Sequence, residues 1–345
     1  MNTTVTLAER WEALKAENPH IRIRNAAQQL EVSEVELLAT QIIGNNVIRL
    51  RPEFVNILSE LQPLGKLMGL TRNEECVHER KGVYENSDFS SPHAGLFVNP
   101  DIDQRIFLGH WDKAFAVIET SEHGTRKSLQ FFGKDGLAIH KIYLTKDSNE
   151  AAFDALVEKY KSENQSPEET VIPIVPNYDE KQDSDIDVEG FQNAWTALKD
   201  THEFFGMLRK FGVTRTQALR LAPSEYYAQK LSNEASVKLL EKAAEKKVPI
   251  MVFVGNRGNI QIHTGEIRKT MWHNQWFNVM DPDFNLHLDT SKIASTWLVR
   301  KPAEGDIVTS IEVFNEMGEL IVQFFGKRKP GIPELESWRE LVAEL

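Results

Sequence analysis

Cysteine is almost absent: Cys76 is the only one in 345 residues. No intramolecular disulfide can form, which fits a reducing compartment. No apolar run reaches the roughly 20 residues that a membrane-spanning helix needs. The opening MNTTVTLAERWEALKAENP has neither the charged start nor the apolar stretch of a secretory signal. A cytoplasmic protein is the expectation. Positive charge is also scarce, with 40 Lys and Arg against 51 Asp and Glu and a net charge of −11. Such a body repels nucleic acid and anionic membrane surfaces. The usual catalytic signatures are missing as well: there is no HExxH, no cysteine pair for zinc and no CxxCH for covalent cofactor attachment. Gly255-Asn256-Arg257-Gly258 lacks the strand–turn–helix setting of a dinucleotide site, and Gly133-Lys134 is no P-loop.

What is present is a repeat. WEALKAENPHIRIRNAAQQLEVSEVELLA from Trp11 and WTALKDTHEFFGMLRKFGVTRTQALRLA from Trp195 both open W-x-A-L-K and close on Leu-Ala. NPDI at 99–102 answers DPDF at 281–284, and FFGKDGLAIHKIY from Phe131 answers VFNEMGELIVQFF from Val313, each displaced by 182 positions. FDALV from Phe153 and WRELV from Trp338 complete the series. Matches in one order at nearly one offset indicate two homologous halves. We place them at 1–165 and 190–345, joined by an acidic linker at 166–189 whose Pro167, Pro173 and Pro176 favour extended, exposed chain.

Helical periodicity leads each half, over 6–18, 24–40 and 52–62, then over 188–211, 214–231 and 235–246. Strand-like runs such as AFAVIE, SLQFFG, PIMVFVG and DIVTSIEVF follow. IEVFNEMGELIVQFF, turning at 315–318, predicts an antiparallel hairpin. Helices grouped apart from meandering strands predict an α+β fold: a tandem repeat, each half a large antiparallel sheet with helices packed against it.

IRIRNAAQQLEVSEVELLA has the outline of a helix-turn-helix, but its second helix is acidic where phosphate contacts call for Lys or Arg. Helix packing is the reading, and DNA is not an expected partner. Over 188–211 the helical spacing places Phe191, Trp195, Leu198, Phe205 and Leu208 on one stripe, with His202 on the same buried face. Most such histidines are hydrogen-bonded core residues. Here Trp195, Phe204 and Phe205 could wall a flat apolar ligand, and the first half has Asn18-Pro19-His20 where this helix would run. A neutral imidazole facing an apolar slot is a common way to hold haem iron. The two carboxylates of haem then need cations, arginine above all. Arg215, Arg300, Lys301 and Arg328 stand where elements end.

DTHEFFGMLRKFGVTRTQALRLA, DQRIFLGHWDKAFAV, and VRKP followed by QFFGKRKPG resemble the HemS/ChuS family of bacterial haem-utilisation proteins, in order and over nearly the whole chain. The resemblance implies two similar α+β halves holding one haem between them. It implies that His202 is the axial iron ligand and that Arg105, the candidate catalytic residue, lies over the opposite face with Phe107 packed on the macrocycle. Arg215, Lys301 and Arg328 would bind the propionates or steady the rim. At Phe325 family members often carry tyrosine, so a hydroxyl contact is missing here.

Haem enters this picture either as substrate or as cargo. As substrate it is opened oxidatively with electrons from an external reductant, and this is the first expectation. As cargo it passes from an inner-membrane importer to a separate haem oxygenase. A monomer and a homodimer both suit the resemblance. The sequence leaves open whether His20, His78, His263 or His287 also bind haem non-productively, and His287, opposite Arg105 in the repeat, is not expected to be the principal ligand.

Overall fold

A computed structural model describes all residues except 1–4, 93, 122–123, 176–177 and 329–331. The architecture is α+β, as expected, with two large antiparallel sheets and helices packed on them. The chain forms two compact units. The first comprises Met1–Thr71, Arg80–Val175 and Asn256–Ile260; the second comprises Arg72–Glu79, Pro176–Gly255 and Gln261–Leu345. Each unit therefore includes a short segment from the opposite half of the sequence, and the chain passes between units within the proline-bearing stretch.

In the first unit five antiparallel strands lie in the order Val47–Leu50, Trp111–Ser121, Gly124–Gly133, Ala138–Ser148 and Gly65–Arg72. In the second unit the order is Ala228–Leu231, Ser295–Ala303, Asp306–Phe314, Leu320–Gly326 and Ile250–Gly255. The two ladders match strand for strand, so the sequence repeat is a structural one. Alternation gives each strand two faces. In the second unit, Leu298, Ile311, Val313, Phe324 and Val252 pack with the helices Ala235–Lys246 and Glu336–Ala343. Val299 and Phe314, on the other face, pack with Phe191, Trp195, Phe204 and Leu208.

The stretch read as linker is tied down on both sides. Arg49 Nη2 donates to the carbonyl oxygens of Ser166 and Glu168, and Ile172 N donates to Lys134 O. Further on, Glu180 accepts from Thr214, Thr216 and Arg220. Pro176 lies outside the described residues.

Three helical spans are interrupted. The 24–40 segment is two helices, as the helix-turn-helix outline has it, Ile23–Gln29 and Glu34–Ala39, with Glu31 at φ +55 between them. A Ser33/Glu36 capping box starts the second helix, and Glu34, Val35, Leu37, Leu38 and Ala39 are buried. Burial of this helix agrees with the packing reading. The 214–231 segment is helical only over Arg215–Arg220, because Pro223 cannot donate in a continuing helix. Residues Ala228–Leu231 are a strand. The third interruption concerns 188–211 and bears on the site.

Candidate functional site

Val188–Thr196 and Glu203–Phe211 are separate helices, so the predicted stripe is cut between Leu198 and Glu203. The interruption is chemical. Asp200 Oδ1 accepts from His202 N at 2.8 Å, while a Glu203 carboxylate oxygen accepts from Lys199 N at 2.9 Å and Asp200 N at 3.2 Å. These bonds satisfy amides that a through-running helix would have paired internally. The stripe then restarts out of phase: Phe204, Met207 and Leu208 are buried, and Phe205 is exposed.

His202 is thus not on the buried face, and this corrects the sequence reading. It caps the second helix with its side chain 90% exposed. Its Nδ1 lies 2.6 Å from Asp200 Oδ1, and Nε2 has no hydrogen-bond partner among the described residues. A carboxylate can only accept, so Nδ1–H donates to it and Nε2 is the nitrogen turned outward, as metal-binding histidines are commonly oriented. The amide of His202 and then its ring hold the Asp200 carboxyl below its usual range, and the positive field of Arg328 adds to this. The structure therefore brings Asp200, His202 and Arg328 into one electrostatic neighbourhood. Arg328 itself is half-buried.

Behind them lies one face of the second unit's sheet. The registers Lys301↔Val308, Val299↔Ser310, Trp297↔Glu312 and Ser310↔Phe325 place Lys301, Ser310, Glu312 and Phe325 on that face. Glu312 has no exposed surface. Its two oxygens receive Arg215 Nε at 2.8 Å and Nη2 at 2.9 Å, Lys301 Nζ at 2.6 Å and Ser310 Oγ at 3.1 Å. Burial alone would raise the Glu312 pKa, but the charges and hydrogen bonds of Arg215 and Lys301 outweigh it and hold the carboxyl well below its ordinary value. Burial pulls Lys301 down to about 8 against the attraction of Glu312. The Phe204 ring lies under both cations, 4.5 Å from Lys301 Nζ and 5.5 Å from the Arg215 guanidinium carbon. Phe325 is half-buried and packs edge-on against Phe253 at 5.0 Å.

Arg300 leaves this group: it donates to Tyr226 O at 2.8 Å and lies over the Tyr226 ring. In the first unit, Arg105 is on the strand Asp103–Ile106, ion-paired with Asp103 and 3.1 Å from Gln104 O. Burial raises the Asp103 pKa, opposed by Arg105. Phe107 follows that strand, half-buried, its N donating to Gly258 O at 2.9 Å. Among the remaining histidines, His78 and His263 are buried, His263 stacks on Phe284 at 3.8 Å, and His287 Nδ1 lies 2.6 Å from Asn278 Oδ1. His20 is exposed.

Asp200 and Glu312 escaped the sequence reading. Each had a signal: Asp-x-His followed by glutamate is a cap pattern, and Ser310 and Glu312 are polar at alternate positions of an apolar strand.

A cationic, aromatic sheet face beside an outward imidazole is a constellation suited to a flat, anionic, metal-bearing ligand. The family model described as the haemin-degrading HemS.ChuX domain matches residues 31–160 and again 212–345. The chain is 37% identical to the hemin transport protein HmuS of Yersinia pestis over 342 residues, 99% of this chain and 97% of the relative. Among solved structures it is similar to holo-PhuS, a heme-binding protein from Pseudomonas aeruginosa, with TM-score 0.94, 48% identity and 97% of each chain covered. The heme degrading enzyme ChuS of Escherichia coli O157:H7 matches with TM-score 0.90, 34% identity and 98% of each chain covered. The chain belongs to the HemS/ChuX family.

Proposed function

We propose that this protein binds haem through the Nε2 of His202 and opens the ring oxidatively, releasing iron. The observation that carries the binding is the His202 ring, 90% exposed, with Nδ1 engaged by Asp200 at 2.6 Å. That arrangement offers iron one ring nitrogen whose orientation is already set. Arg215, Lys301 and Arg328 supply positive charge for the propionates, and Phe325, without a hydroxyl, offers an apolar contact only. Arg105 as the catalytic residue and Phe107 as an apolar contact for the macrocycle belong to the same proposal, on family membership. A cation beside the reacting ligand would stabilise the negative charge that oxygen chemistry develops. Ring opening consumes O₂ and electrons from an external reductant, since the sequence has no flavin or nicotinamide motif.

Degradation is tested with haem-loaded protein, a reductant and O₂, with catalase present to remove free peroxide. Release of iron with a linear tetrapyrrole, slowed at least about tenfold in Arg105→Ala, is the expected result. Intact or merely bleached haem would exclude it. Carriage is the second reading, favoured by the exposure of His202, which lets a ligand leave without opening a core. It requires transfer to a recipient haem oxygenase faster than passive release, measured by stopped-flow absorbance. Transfer no faster than release removes that reading.

A further inference from the structure

Glu312 is a fully buried charge that the proposed binding of haem leaves without a task. A guanidinium has two edges that fit a carboxylate, Nε–Nη2 and Nη1–Nη2. Glu312 takes the first of these on Arg215, at 2.8 and 2.9 Å. Nη1 has no hydrogen-bond partner among the described residues. The Arg215 side chain keeps 23% exposure while that of Glu312 has none, so the edge left open is the one away from the core. Lys301 is bound to the same carboxylate, and Phe204 supports both cations from below. Ser310 Oγ fills a remaining acceptor position. The three charged groups sum to one positive charge, delivered in a fixed geometry.

We propose that Glu312 is a positioning residue: it touches no ligand, but locks Arg215 with its Nη1–Nη2 edge outward and Lys301 beside it, making the pair a reader of ligand carboxylate. This rests on the haem-binding reading and assigns the carboxylate to a propionate. Neutralising Glu312 would not simply enrich the site in charge. Lys301, already lowered by burial, would lose the attraction that keeps it charged near neutral pH. A glutamine would set its own N–H groups against those of Arg215. Charge stays nearly constant while orientation is lost.

The test compares haem with its dimethyl ester, in which both propionates are capped, by absorbance titration of wild type, Glu312→Gln and Glu312→Asp. The aspartate keeps the charge but is one methylene too short to serve both cations. Wild type is expected to prefer haem by about tenfold or more, the worth of a charge-assisted, two-pronged contact. Both variants should reduce that preference to about threefold or less while binding the diester as wild type does. A merely structural role would weaken both ligands together. If Glu312→Gln does not fold, Glu312→Asp decides. Wild-type preference retained in a folded variant, equal weakening of both ligands, or no preference in wild type overturns the proposal. Failure of wild type to bind haem at all overturns the haem-binding reading instead.

Discussion

A carboxylate with no exposed surface stays charged only if its neighbours replace the water it has lost. Around Glu312 that replacement comes from Arg215, Lys301 and Ser310, donors at 2.6–3.1 Å. Breaking such a group is costly: Glu312→Gln should destabilise the fold by about 3 kcal/mol at neutral pH, the low end for a buried pair because Lys301 can shed its proton. Denaturant unfolding measures it. The sign with pH follows from the lowered carboxyl pKa. The stabilisation is complete above the ordinary value of 4.5 and is lost only as the pH falls through the depressed one. Lys301 sets a second window. Facing Glu312, Arg215, Ser310 and the Phe204 ring, it is charged below about 8 and neutral above. The preference for haem over its dimethyl ester should therefore decline as the pH rises through that value. A preference that is flat across it would remove Lys301 from carboxylate binding.

At the scale of elements, the decisive feature is a helix that stops. Periodicity read 188–211 as one helix because Phe191, Trp195, Leu198 and Leu208 keep their spacing across the gap, and all four are buried. What it could not weigh was the competition from the Asp200 and Glu203 carboxylates for backbone amides. The cap was written as Asp200-Thr201-His202-Glu203, but the apolar pattern around it is louder. Glu312 was hidden for another reason: its partners Arg215 and Lys301 lie 97 and 11 residues away, and only strand register and a docked helix bring them together.

The cap makes its own prediction. Asp200→Asn keeps an acceptor for the helix start but loses the charge that orients the imidazole. Haem affinity should fall about tenfold, the usual loss when such a partner is removed, with circular dichroism unchanged. The hairpin turn at 315–318, by contrast, was legible, with Asn315 Oδ1 accepting from Glu319 N and Gly318 at φ +75. A side chain at Gly318 would also meet Thr216 Oγ1 at 2.9 Å. Gly318→Ala is expected to cost about 1–2 kcal/mol, read as a lowered melting temperature.

For the whole molecule, the repeat was the strongest signal in the sequence, because short matches at one offset survive when individual side chains drift. The matching five-strand ladders show why: both halves keep strand order. What the repeat could not disclose is that compact units and sequence halves differ, since Arg72–Glu79 belongs with the second unit and Asn256–Ile260 with the first. Cys76 sits in the second unit's main core, and Asn73 Nδ2 donates to Ile321 O at 2.7 Å. A fragment of residues 190–345 lacks both and should unfold at clearly lower denaturant than the intact chain. Equal midpoints would show that the short segment adds nothing.

The measurement that bears most directly on the account is a haem titration followed by absorbance, wild type beside His202→Ala. We expect a sharp Soret band saturating at one equivalent in wild type, and a shifted or weakened band with at least about tenfold lower affinity in the variant, as loss of an axial ligand requires. The exposed position of His202 means that the variant should fold normally, so the comparison is clean. An identical band and affinity in the two proteins would contradict the assignment of His202 as the iron ligand.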